Sequence, residues 1–125
     1  DIDVLHIDLE THDDYSQATI TLTTGHYEHV LTAENGGEIG AAMKAIQQVY
    51  PKYDLADWEA VKLIEEQGAS SEGGATIEVR IPTGEVISSY FKGNNVVNAS
   101  IKAIVRAINC GERIMARNAE QAEQS

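Results

Sequence analysis

The chain repeats itself, and that limits what it can fold into. Ala18-Thr19-Ile20 recurs as Ala75-Thr76-Ile77, 57 residues on, and Lys44-Ala45-Ile46 recurs as Lys102-Ala103-Ile104, 58 residues on. Between these anchors each half carries a Thr-Gly pair, Thr24-Gly25 and Thr83-Gly84, 59 residues apart. Three matches in one order mark the duplication of a supersecondary unit, with small insertions in its hairpins. The chain has 125 residues, room for one domain in which two such units share a core.

Each copy carries the same order of local signals. In the first, Leu5, Ile7 and Leu9 alternate with polar residues, the two-residue period of a half-buried strand. Ala18 to Thr23 alternates again, and Thr24-Gly25 turns the chain into Tyr27 to Ala33. Asn35-Gly36-Gly37 breaks that strand. Ile39, Met43, Ile46 and Tyr50 then fall at helical spacing, with Ala42 and Val49 widening the stripe, until Pro51 stops the helix. In the second copy Trp58 to Ile64 reads as the first strand, although Leu63-Ile64-Glu65-Glu66 also suits a helix. Gly68 to Gly74 reads as a polar, glycine-rich loop. Ala75 to Ile81 and Val86 to Phe91 form a hairpin about Pro82-Thr83-Gly84. After Gly93-Asn94-Asn95, a second amphipathic helix carries Val97, Ile101, Ile104, Val105 and Ile108 and is expected to end near Gly111. Met43 and Ile101, at matching places, are expected to face the sheets.

These patterns predict an α+β fold: an internal duplication of a βββα unit with pseudo-twofold symmetry, its helices packed on antiparallel sheet. Residues 1–116 are expected to form a single domain, with repeat 1 at about 1–51 and repeat 2 at about 52–112. Residues 117–125 read as a polar tail that frays.

Charge narrows the partners. Twenty acidic side chains against nine basic ones give a net charge of −11, which repels phosphate backbones and argues against nucleic acid and anionic membrane as partners. No apolar run approaches a membrane span, and the N-terminus lacks a basic-then-apolar signal pattern, so a cytoplasmic location is expected. Cys110 is the only cysteine, which rules out an internal disulfide; beside the apolar stripe it reads as a buried, inert thiol. The chain opens at Asp1 rather than Met, as a piece excised from a longer protein would.

Catalytic constellations are missing from this reading. His26 and His29, three apart on or near a strand, point to opposite faces and suit no shared metal. His12-Asp13-Asp14 reads as a solvated turn, His6 as a rim residue, and Glu65-Glu66 as a solvated pair. Asn98-Ala99-Ser100 matches a glycosylation sequon but falls inside a helix. No catalytic residue, metal or cofactor is expected. The informative features are the two strand-to-helix turns, Asn35-Gly36-Gly37-Glu38 and Gly93-Asn94-Asn95. Backbone N–H groups at a helix start are unpaired and carry positive partial charge, so they suit a carboxylate or phosphate; Asn94 or Asn95 could equally cap an ordinary turn.

At these turns the chain resembles a known family. The run from Asn35-Gly36-Gly37-Glu38-Ile39-Gly40 through Ala41-Ala42-Met43-Lys44-Ala45-Ile46 is similar to G-D-G-P-V-D-A-A-x-K-A-I. That is the first-repeat motif of the C-terminal allosteric (dimerisation) domain of the 2-isopropylmalate synthase and citramalate synthase family. The run from Asn95-Val96-Val97-Asn98-Ala99-Ser100 to Ala107-Ile108-Asn109 resembles the second-repeat D-I-V-x-A-S-x-R-A-L, ending N-A-I-N. Leu55-Ala56-Asp57-Trp58 matches L-x-D-Y. The resemblance covers nearly the whole chain in order.

It implies a homodimerising regulatory domain that binds a branched-chain amino acid, leucine or isoleucine, and imposes feedback inhibition. Catalysis would lie in a metal-dependent TIM-barrel domain of the parent acyltransferase. On this resemblance the effector carboxylate would lie at the helix starts, near Gly36, Gly37, Ile39, Gly40 and Asn95. The aliphatic side chain would enter a pocket of Ile39, Trp58, Val61, Ala75 and Val97, and Asp57 could accept from the ammonium. Glu38 stands where the motif has proline and brings a negative charge to the proposed carboxylate site. The alternative is therefore a homodimerisation module of the same fold that binds no small molecule.

Overall fold

The computed structural model describes the backbone of residues 1–64, 71–93 and 95–124, and side chains outside 59–73, 94, 124 and 125. Three strands come first: β1 (Asp3–Thr11), β2 (Ser16–Thr23) and β3 (Glu28–Asn35). Helix α1 (Glu38–Gln47) follows. The order then repeats with β4 (Asp54–Ile64), β5 (Ser71–Arg80), β6 (Val86–Gly93) and α2 (Val96–Gln124). Each triplet forms its own antiparallel sheet, in the orders β1-β2-β3 and β4-β5-β6. The fold is α+β, two three-stranded antiparallel sheets each followed by a helix, as the duplicated βββα pattern requires.

The duplication extends to details that sequence identity does not show. The two hairpin glycines, Gly25 and Gly84, both adopt positive φ, 93° and 95°. This left-handed conformation costs glycine little and any side chain more, which explains why Thr-Gly survives in both copies. The first strand of each unit also carries an irregularity at the same place, between Val4 and His6 in β1 and between Leu55 and Asp57 in β4. An extra residue there reverses which face the following side chains occupy.

That bulge corrects one sequence expectation. Leu5 does not share a face with Ile7 and Leu9; it is 56% exposed, and Val4 packs against the core in its place. The remaining corrections concern boundaries. Strand β4 begins at Asp54 rather than Trp58 and remains extended to Ile64, so Leu63 and Ile64 are strand; Glu65 and Glu66 lie outside the described residues. Strand β5 begins at Ser71 and takes in Gly73 and Gly74, which pair with Gly93 and Lys92, so this part of the expected loop is strand; Gly68, Ala69 and Ser70 lie outside the described residues. Cys110 is half-buried rather than buried.

One core joins the two units. Alternation on the central strands places Ala18, Ile20 and Leu22 of β2, and Ala75, Ile77 and Val79 of β5, at 1% exposure or less. Helix α1 packs on β2 and β3, α2 packs on β5 and β6, and the two helices touch. Ala41, Ala42 and Ala45 of α1 and Ala99, Ala103 and Ala107 of α2 are essentially inaccessible. Met43 and Ile101 are both buried, as their matching positions predict. Each fully buried isoleucine, such as Ile20, Ile77 or Ile104, contributes roughly 1.5–3 kcal/mol of apolar burial. Asn109 adds a polar tie between the units. Its Oδ1 accepts from the Ile2 N–H at 2.8 Å and its Nδ2 donates to the Ile2 carbonyl at 2.9 Å, holding the approach to β1 on α2.

Helix α2 does not end at Gly111 but runs on to Gln124, so the expected polar tail is helical from Arg117 to Gln124, with Ser125 outside the described residues. Gly111 serves packing instead. A Cβ there would stand 2.8 Å from Tyr53 Cε2 and 2.9 Å from both Ile81 Cγ2 and the Tyr53 hydroxyl. Tyr53 is buried at this crossing and donates from its hydroxyl to Glu112 Oε2 at 2.8 Å. Burial first, then the hydrogen bond to Glu112 and its charge, raise the Tyr53 phenol well above the ordinary tyrosine value. Tyr50 shifts the same way, through burial and the Glu112 charge.

Gly111→Ala should therefore destabilise the domain by about 1–3 kcal/mol in urea unfolding, although alanine is the better helix former. A neutral or stabilising result would contradict the close packing against Tyr53 and Ile81. The phenol also sets an alkaline limit. Above about pH 10 the unfolded chain releases a tyrosine proton that the folded chain keeps, so stability present below that pH is lost as pH rises. Tyr53→Phe should flatten most of this fall between pH 9 and about 11, and cost about 1 kcal/mol at pH 7.

Candidate functional site

The two helix starts, equivalent in sequence, differ in structure. Helix α1 begins after Gly37, whose extended backbone (φ −132°, ψ 159°) suits an N-cap but which has no side chain to cap with. The Gly37 carbonyl accepts from the Ala41 N–H at 2.9 Å, opening the helical ladder. No side-chain cap occupies the first-turn N–H groups of α1, and Glu38 and Ile39 flank them. The Asn35 carboxamide lies where a side chain at position 40 would project, which is why Gly40 fits there. Gly36 and Gly37 face open space, so neither glycine is required by crowding.

Helix α2 is closed by its own cap. Asn95 Oδ1 accepts from the Val97 N–H at 2.8 Å and from the Asn98 N–H at 3.1 Å. These are the donors a ligand carboxylate would need, so Asn95 serves the helix rather than leaving it open. The structure gives Ser100 a further role. Its hydroxyl donates to the Val96 carbonyl at 2.7 Å and accepts from Trp58 Nε1 at 2.7 Å. The indole is thus pinned against the first turns of α2 while 41% of its surface stays exposed. Asp57, exposed at the β4 bulge, accepts from the Trp58 N–H at 2.8 Å and steadies the same residue.

The expected site residues therefore divide into two groups. Asp57, Trp58, Asn95 and Val97 gather at the start of α2, with Val97 half-buried against the core. Gly36, Gly37, Ile39 and Gly40 gather at the start of α1, with Ile39 9% exposed. Ala75, in register with Ala60 and Phe91, has no exposed surface and acts as core. Val61 stands in register with Gly74, and its side chain lies outside the described residues. A cavity of about 220 Å³ opens beside the α2 start, bordered by Phe91, Gly93, Asn95, Asn98, Ala99 and Lys102; Asn95 is the expected site residue it includes. Sequence reasoning missed Ser100. The Ala-Ser pair in the second-repeat motif was its only signal, and a hydroxyl on a helix does not announce an indole from a distant strand.

Among the described residues, no group of three or more His, Cys, Asp or Glu is placed to hold a metal ion. No described helix is long and apolar enough to cross a membrane.

The described structure is thus two βββα units with unlike helix starts, one open and one capped. Residues 1–111 match the model of the LeuA allosteric (dimerisation) domain, and the chain belongs to that family. It is also similar to a 2-isopropylmalate synthase from Methylacidiphilum infernorum (isolate V4), 31% identical over 93 residues. That match covers 74% of this chain and 18% of the relative, so the chain spans under a fifth of the longer protein.

Trp58 is the sole tryptophan, so its emission reports directly on this region. Ser100→Ala should remove the indole's partner, costing about 1 kcal/mol in stability and shifting the emission to longer wavelength as the ring loosens. Unchanged emission and stability would show that the Trp58–Ser100 bond does not hold the indole.

Proposed function

We propose that this chain is a regulatory module that pairs with a second copy and binds a branched-chain amino acid, leucine or isoleucine. It would do so for feedback inhibition of a 2-isopropylmalate synthase-like acyltransferase in the cytoplasm. The reaction itself would take place in a separate catalytic barrel of the parent enzyme, and this chain would contribute no catalytic residue. The observation that carries the effector reading is the uncapped start of α1. Gly37 offers no side-chain acceptor, and the two neighbouring glycine positions let a carboxylate approach first-turn N–H groups at the positive end of the helix. Support for pairing comes from the family and from the large apolar side chains left exposed on the sheets and their hairpins, among them Leu5, Tyr27, Val30 and Tyr90.

A second reading, a pairing module with no effector, has two observations in its favour. Glu38 places a negative charge in the first turn of α1, where it would repel a ligand carboxylate. Asn95 already occupies the equivalent donors of α2. Under this reading the open start of α1 is simply hydrated.

Gly37→Ser separates the two. A serine fits the open space and the N-cap backbone, and its hydroxyl would satisfy the first-turn donors, stabilising the helix by a few tenths of a kcal/mol. Calorimetric titration with leucine, isoleucine and valine, with mass followed by light scattering, should show one of them binding to a dimer. That binding should be lost in the serine variant although its melting temperature holds or rises. A wild-type dimer that binds none of the three leaves the pairing module as the function.

A further inference from the structure

A cavity of about 540 Å³ lies away from both helix starts, in a groove between α2, β6 and the approach to β1. Ile2, Phe91, Lys102, Arg106, Asn109 and Arg113 border it. A chain with twenty acidic and nine basic side chains thus places three of its cations along one groove. The spacing explains how: Lys102 and Arg106 stand one helical turn apart, and Arg113 follows two turns further on the same side of α2.

Two of these cations are held together without a carboxylate. The Lys102 ammonium lies 5.4 Å and the Arg106 guanidinium 5.6 Å from the centroid of the single Phe91 ring. Arg106 also donates from Nη1 to the Tyr90 carbonyl at 3.1 Å, which fixes its direction. Among the described residues neither cation has an ion-pair partner, although carboxylates are more than twice as numerous as cations in the chain. Like charges one turn apart repel, so the arrangement opposes folding slightly unless an anion sits between them. Negative groups do occur at the groove's other end: Asp3 borders it, and Asp1 pairs with Arg113 at 2.6 Å. That end is balanced, and the excess positive charge is concentrated at Lys102 and Arg106.

We infer that this groove binds a small organic anion carrying at least two negative charges, a phosphate ester or a polycarboxylate. Its charged group sits between Lys102 and Arg106, and its body lies along the groove toward Ile2 and Asn109. The volume matches the range of small-molecule sites. Asn109 spends its amide on the Ile2 backbone, so it forms the floor and leaves recognition to the two cations. The site is distinct from the proposed amino-acid site, uses none of its residues, and does not depend on it.

Inorganic pyrophosphate and citrate, titrated separately into the 125-residue chain at physiological ionic strength, provide the test. At least one should bind saturably, and which one binds distinguishes phosphate from carboxylate recognition. The Lys102→Ala/Arg106→Ala double variant should weaken that binding about a hundredfold, since each charged hydrogen bond contributes roughly tenfold or more. Its melting temperature and Trp58 emission should stay at wild-type values, which shows that folding is intact. A leucine or isoleucine titration should be unchanged by the double substitution. Failure of both probes to bind the wild-type chain would overturn the proposal, as would binding that survives the double variant.

Discussion

Everything in this structure follows from the inability of a three-stranded sheet to bury its own apolar face. Strands β2 and β5 each alternate between fully inaccessible and partly exposed side chains, so each sheet has one face that must be covered. A single βββα unit covers that face with one helix and leaves the flank of the helix bare. Two units solve the problem together, because α1 and α2 lie against their own sheets and against each other. The polar tie from Asn109 to Ile2 then holds one unit to the other, while the crossing of Tyr53 over Gly111 fixes α2 within the second. Duplication thus gives the two units one shared core.

Once each copy depends on the other for burial, the two are free to diverge elsewhere. Helix α1 has ten residues and an open start, whereas α2 has twenty-nine residues and a start closed by Asn95. The longer helix carries the contacts that join the units and the cations of the groove. The shorter one leaves its first-turn donors without a side-chain cap.

Much of this was legible in the sequence, for physical reasons. Strand alternation and helical stripes report burial directly, so the order of eight elements and the burial of Met43 and Ile101 could be read in advance. The family resemblance, carried by residues around Gly37, Lys44 and Asn98, agrees with the match over residues 1–111. What could not be read depends on contacts between distant residues. Leu5 looks like a core residue until the bulge turns it outward, and a bulge leaves no mark in a two-residue pattern. Gly111 looks like a helix stop because glycine weakens helices; only the approach of Tyr53 and Ile81 reveals that it is there for want of a side chain. Trp58 and Ser100 are 42 residues apart, and Phe91 meets Lys102 and Arg106 from another element. Of the expected effector residues, Gly36, Gly37, Ile39 and Gly40 lie at the start of α1, Asp57, Trp58, Asn95 and Val97 lie near the start of α2, and Ala75 has no exposed surface.

The central claim is that the open start of α1 receives the carboxylate of a branched-chain amino acid. Amide-resolved NMR of the isotopically labelled chain during titration with leucine and then isoleucine tests it most directly. The account predicts saturable shifts concentrated on the N–H groups of Glu38, Ile39 and Gly40, the donors that no side chain caps. Saturable shifts that bypass these three amides and fall instead at the capped start of α2, or no shifts with either amino acid, would contradict it.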